Sequence, residues 1–257
     1  MNLAWQTVVS ELDFKPMSCV AIASPELGRI PAKPAPRLEN GDHLTATEFL
    51  RRYEAMPEVK KAELIQGKVY LMASPVRLDV HGYPDAMVQA WLGGYAMITP
   101  RVRHAVNSTT LLGPDDVPQP DGMLHLLPAC GGQSKLSPKG YLSGAPELAF
   151  EIAASSSSYD LHEKRDSYRR AGVREYLVWR TLDGEMDAWS LVEESYQTWK
   201  PGEDGILRSA VFPGLWLDVR ALILEDGAAV LATLSQGLAS PEYAQFARAL
   251  RSALAAA

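Results

Sequence analysis

Glu151 stands in Leu148-Ala149-Phe150-Glu151-Ile152, a run that otherwise reads as an interior strand. Alternation places Leu148, Phe150 and Ile152 on one face and Glu147, Ala149, Glu151 and Ala153 on the other. The alanines leave room beside Glu151, and an unpaired carboxylate there costs several kcal/mol unless a cation compensates it. The next element repeats the anomaly. Leu161, Lys164, Tyr168 and Ala171 recur at helical spacing, so the face that must pack on the sheet carries a lysine. Its ammonium, aimed toward the C-terminal end of the strand, would compensate Glu151. Asp121 in Gln119-Pro120-Asp121-Gly122-Met123 opens the preceding strand, its backbone fixed by the proline before it. Two carboxylates on neighbouring strands would hold Mg²⁺ (or Mn²⁺), which favours one or two carboxylates plus waters and phosphate oxygens. The chemistry that fits is phosphodiester hydrolysis, with metal and lysine stabilising charge on the phosphate and helping a water ionise. The same residues also admit a structural explanation, Glu151 and Lys164 as a buried ion pair and Asp121 as a turn residue.

The elements that must position these groups are legible in outline. Thr45 with Glu48 reads as a capping box opening a helix. Ala62–Leu71 reads as a hairpin around Gln66-Gly67. A helix with Pro84 near its start carries Met87, Trp91, Leu92 and Tyr95, and strands follow around residues 101–106, 108–112 and 117–127. The serine run at 155–158 reads as a loop. Asp160 with Glu163 reads as a second capping box, opening a helix over 160–171 that ends at Gly172. The strand at 147–153, this helix and the strand at 173–179 imply a right-handed βαβ unit with two parallel strands. Two meander strands around Glu193-Glu194 come next, and the Ala- and Leu-rich stretch 221–257 is helical by propensity. The division expected is a Pro- and Gly-rich extension over 1–42, a domain over 43–220 and a helical tail over 221–257.

Bulk properties bound the partners. The chain has 257 residues, 47% hydrophobic and 22% charged, an ordinary composition for a soluble protein. No apolar run approaches the roughly 20 residues that span a bilayer, and the first residues lack a signal-peptide pattern, so a cytoplasmic protein is expected. Cys19 and Cys130 are too few for a disulfide framework or a Cys-rich zinc site. The net charge of −6 argues against general nucleic-acid affinity, so contact with DNA would rest on a local basic patch or a bound cation. Arg51, Arg52, Lys60, Lys61, Arg101, Arg103, Lys164, Arg165, Arg169 and Arg170 are candidates, each of them more commonly a solvated surface charge.

Four segments together carry a resemblance: Gln119-Pro120-Asp121 with its preceding Pro118, Glu147–Ile152, Tyr159–Trp179 and Ala62–Pro75. The chain resembles the Uma2 family of restriction-type endonucleases in the PD-(D/E)xK superfamily, over roughly residues 43 to 220. The resemblance implies an α/β fold, a mixed and strongly bent sheet with flanking helices, and a metal-dependent endonuclease acting on DNA. It maps Asp121 onto the Pro-Asp aspartate and Glu151 onto the strand acid, the two metal ligands. Lys164 corresponds to the family's relocated lysine, since Ala153 occupies the usual position two residues after the acid. Glu63 corresponds to a further acid and His81 to a histidine after the Ser-Pro turn, more in keeping with a structural than a catalytic residue. The family's Glu-Val-Leu-Ser-Pro-Ser is replaced here by Glu151-Ile152-Ala153-Ala154-Ser155-Ser156, without the proline.

The expected catalytic set is therefore Asp121, Glu151, Lys164 and Glu63, with Asp121 and Glu151 on the metal, DNA as substrate, and a homodimer plausible for cutting two strands. The rival expectation is a non-catalytic scaffold or interaction module that kept the fold. Action on RNA or a nucleotide is a third.

Overall fold

The computed structural model describes residues 35–72, 76–154 and 159–253, all within the unit Ala35–Ala257. The extension expected over 1–42 therefore lies outside the described residues as far as residue 34, and so does the serine loop at 155–158.

The local signals act largely as their chemistry dictates. The Thr45 hydroxyl accepts from the Glu48 N–H at 3.4 Å and caps α1, Ala46–Tyr53. The reciprocal half of that box is not made, because the Glu48 carboxylate turns to Arg51 and Arg52. Strands β1, Ala62–Ile65, and β2, Lys68–Leu71, form a hairpin whose turn residues Gln66 and Gly67 have φ of 52° and 76°. Two positive φ values in a two-residue loop match the right-handed twist of the flanking strands. Leu38 is buried in one apolar cluster with Phe49, Leu64 and Val69, so part of the segment read as an extension packs on this hairpin.

A π-helical turn, Leu78–Gly82, runs into α2, Tyr83–Ile98, followed by β3, Val102–Val106, β4, Thr110–Leu111, and β5, Gly122–Leu126. Short strands β6, Lys135–Leu136, and β7, Leu142–Ser143, lead to β8, Leu148–Ala153. A second π-helical turn, Asp160–Lys164, continues into α3, Arg165–Ala171, which stops at Gly172 with φ of 88°. Then come β9, Glu175–Arg180, and the meander β10, Glu185–Val192, and β11, Ser195–Thr198. The chain ends in β12, Ile206–Arg208, β13, Trp216–Asp218, and helices α4, Val219–Ile223, α5, Gly227–Leu238, and α6, Pro241–Ser252.

Six strands form one mixed sheet in the order β11-β10-β9-β8-β5-β3. Only β8 and β9 run parallel, joined through α3, and every other neighbouring pair is antiparallel. Leu148, Phe150 and Ile152 face α2 in a cluster with Trp91, Tyr95 and Leu124. The opposite face, Ala149 and Ala153, lies under Tyr168 of α3 and Tyr176 of β9. The mixed α/β architecture expected from the sequence is the one present. Leu222, Val230, Leu234 and Leu250 from the C-terminal helices join the α2-side cluster, so those helices share the main core.

Candidate active site

Antiparallel pairing of β5 with β8 sets Gly122 opposite Phe150, so Asp121 and Glu151 follow as the next positions of the same register. The Ile152 N–H donates to Asp121 Oδ2 at 2.9 Å and fixes that carboxylate against β8. Gly122 is required by close packing. A Cβ there would lie 2.9 Å from Leu92 Cδ1 and 3.3 Å from Gln89 Oε1, and Gln89 Nε2 donates to the Asp121 carbonyl. On β1, Glu63 Oε1 accepts from the Gln119 N–H at 2.6 Å, which ties the hairpin to the Pro-Asp segment. From the turn before α3, Lys164 reaches the same point: its Nζ lies 2.7 Å from Glu151 Oε1, 3.1 Å from Glu63 Oε1 and 3.5 Å from Asp160 Oδ1.

The structure thus brings Glu63, Asp121, Glu151 and Lys164 to one cleft of about 320 Å³. Asp121 also has an ammonium partner that the sequence did not predict: Lys61 Nζ lies 2.8 Å from its Oδ1 and also donates to Asn107 Oδ1 at 3.0 Å. His81 borders the cleft, its Nε2 3.8 Å from Asp121 Oδ2. Asp160 does not open the helix as a cap. Tyr159 is already helical, and the Asp160 side chain is buried beside Lys164. Glu163, the other half of that expected box, accepts instead from the Tyr70 hydroxyl.

Tyr159 and Asp160 of the cleft and Tyr168 beneath it were not expected as site residues, and Lys61 was expected only as a candidate for nucleic-acid contact. The Tyr168 hydroxyl donates to Glu151 Oε1 at 2.7 Å and fills the room left by the alanines. The Tyr159 hydroxyl reaches Glu63 Oε2 at 3.4 Å. Among the cations considered for nucleic acid, Lys164 is buried, Arg51 and Arg52 are held by Glu48, and Arg169 and Arg170 by Asp166.

Charge decides what this cleft can do. Burial pushes the Glu151 carboxyl up, Lys164 pulls it down, and Asp121, Asp160 and Glu63 add to the rise, leaving it at about 8. Burial also works against Asp121, but Lys61, Lys164 and the Ile152 N–H outweigh it and hold that carboxyl below its ordinary value. Lys61 and Lys164 are both raised, because surrounding carboxylates more than offset their desolvation. Four buried carboxylates, Glu63, Asp121, Glu151 and Asp160, meet two ammonium groups, Lys61 and Lys164, among the described residues. A proton on Glu151 lowers the negative charge gathered there, and a divalent cation would lower it further.

Among the described residues, no three His, Cys, Asp or Glu side chains are grouped as a metal-binding set. The donors suit an ion held by two carboxylates and completed by water rather than one enclosed by protein. Asp121 and Glu151, adjacent in register and both lining the open cleft, are such a pair.

The model of the Uma2 family, described as "Putative restriction endonuclease", matches residues 46–220. Among solved structures, a "putative nuclease belonging to DUF820 from Anabaena variabilis" is similar at 14% identity, covering 68% of this chain and 98% of that one, with a TM-score of 0.49. No curated protein matches the chain. Among the described residues, no helix is long and apolar enough to cross a membrane.

Proposed function

The chain belongs to the Uma2 family, and from that premise we propose that its acid–lysine cleft hydrolyses phosphodiester bonds in DNA with a divalent cation on Asp121 and Glu151. The observation that carries this reading is the meeting of three buried acids, Glu63, Asp121 and Glu151, with Lys164 in the lining of one open cleft. Such an arrangement is costly in a purely structural core and useful at a cation site. When bound, the cation would polarise a phosphoryl oxygen and lower the pKa of a coordinated water.

The chain's own residues divide the remaining work. Lys164 has three carboxylates within 3.5 Å and a side chain only 3% exposed, so it acts through them, keeping Glu151 and Glu63 in position. Tyr168 and Lys164 both meet Glu151 Oε1 and fix that carboxylate from the helix side. Lys61, with a side chain 26% exposed, is the ammonium that an incoming phosphate would meet. Glu63, anchored by the Gln119 N–H, supports the water and the cation.

A second reading has one observation in its favour. Lys61 already pairs with Asp121, and a scaffold protein could keep that ion pair in place of a cation. Incubating supercoiled plasmid with Mg²⁺ or Mn²⁺ separates the two. The nuclease reading expects nicking that falls at least 100-fold in Glu151→Gln and Lys164→Ala, and a parallel reaction with single-stranded RNA tests the substrate. Wild-type protein that cuts neither polymer would leave the scaffold, and cutting undiminished in both variants would place the activity elsewhere.

A further inference from the structure

Arg101, Arg103 and Arg251 line one cleft of about 370 Å³, at the C-terminal end of α2. None of them has a carboxylate partner among the described residues, whereas Arg37, Arg77, Arg180 and Arg208 are each held by an acid. In a chain of net charge −6, three uncompensated guanidinium groups around one concavity repel each other. The ligand that relieves this is an anion with several oxygens, which forked guanidinium donors match. Arg101 also holds a φ of 63°, a left-handed conformation that glycine or asparagine adopts at lower cost.

The cleft is connected to the candidate active site by a single strand. β3 is the outermost strand of the sheet, starting beside Arg101 and carrying Arg103. Just past its other end, Asn107 accepts from Lys61, the partner of Asp121. Arg103 and Asn107 stand four positions apart along the strand, about 13 Å. At about 3.4 Å of helix axis per phosphate, that distance matches about four phosphates of one strand.

Resting on the hydrolytic reading above, we propose that Arg101, Arg103 and Arg251 form a phosphate-binding site that grips the substrate's sugar–phosphate backbone away from the bond being cut. The contact is electrostatic and independent of base sequence, and it gives an acidic protein the local affinity for DNA that its net charge denies it.

The test measures duplex binding by fluorescence anisotropy between 50 and 200 mM salt, in a Glu151→Gln parent that leaves the DNA intact. Each phosphate contact contributes about 0.9 to the slope of log affinity against log salt. The triple variant R101Q/R103Q/R251Q is expected to lower the slope's magnitude by about 2 to 3 and to weaken binding at least tenfold, while R101K/R103K/R251K retains most of both. An unchanged slope in the glutamine variant, with binding intact, overturns the phosphate site and leaves the hydrolytic reading standing. A parent that does not bind DNA also overturns the site, and plasmid nicking by the wild type then decides the hydrolytic reading separately. Loss of binding to phosphatidylserine vesicles in the glutamine variant, with DNA affinity unchanged, would assign the cleft to a membrane surface instead.

Discussion

Lys164 Nζ lies 2.7 Å from Glu151 Oε1, and the two side chains are 3% and 2% exposed. Each would be untenable alone. Removing the lysine leaves Glu63, Glu151 and Asp160 buried without their common counter-charge. Lys164→Met is expected to destabilise the protein by about 3–5 kcal/mol in urea unfolding. Adding Glu151→Gln to that variant should restore part of the loss, since it removes one of the stranded charges. A single variant within about 1 kcal/mol of wild type would show that the cluster is not coupled as described.

Tyr168→Phe isolates the role of the hydroxyl that holds Glu151 Oε1 at 2.7 Å. The ring stays packed among Ala149, Ala153 and Tyr176, so the expected stability cost is about 1–3 kcal/mol from the lost hydrogen bond. If the hydroxyl positions Glu151, plasmid nicking should fall about tenfold in kcat with KM little altered. Equal rates in the two proteins would reduce Tyr168 to packing.

Gly122→Ala tests how closely α2 must approach the Pro-Asp segment. The added methyl would meet Leu92 Cδ1 at 2.9 Å and crowd Gln89, which holds the Asp121 carbonyl. A loss of about 1–3 kcal/mol is expected from the overpacking, with a larger fall in nicking than a remote variant of equal stability shows. Thermal unfolding and initial rates on the two matched proteins decide it.

Glu175 supplies a pH signature outside the cleft. Burial pushes its carboxyl from the usual 4.5 to about 7, against the hydrogen bonds from Ser209, Val211 and Ala210. Between those values the folded state keeps a proton that the unfolded chain has released, so stability falls as pH rises through about 7. Glu175→Gln is neutral at every pH. The stability of the variant relative to wild type should therefore rise between about pH 5 and pH 8, by up to about 3 kcal/mol. A difference that stays flat across that range would contradict the assignment.

Local periodicity made part of this site legible. Glu151 breaks the pattern of a buried strand and Lys164 breaks that of a buried helical face, so both stand out in the sequence. Asp121 followed from the proline before it and the strand after it. Lys61 did not, because it sits in a Lys60-Lys61 pair that reads as a solvated surface and its partner lies 60 residues away. Asp160 was misread because an aspartate with a glutamate three residues on satisfies the capping pattern, whereas Tyr159 before it is already helical and the Asp160 carboxylate is buried beside Lys164. Tyr168 was placed on the right face by spacing alone, but a hydroxyl's partner depends on sheet register, which periodicity does not fix. The same limit applies to the C-terminal helices. Propensity identified them as helical, while their docking against α2 and β13 depends on contacts between distant parts of the chain.

Titration of metal-free protein with Mn²⁺ by isothermal calorimetry at neutral pH bears most directly on the cation. Wild type is expected to take up one equivalent, with a rise in thermal midpoint, and Asp121→Asn and Glu151→Gln are each expected to weaken uptake at least tenfold. A wild-type protein that takes up no Mn²⁺, or uptake undiminished in both variants, would contradict it.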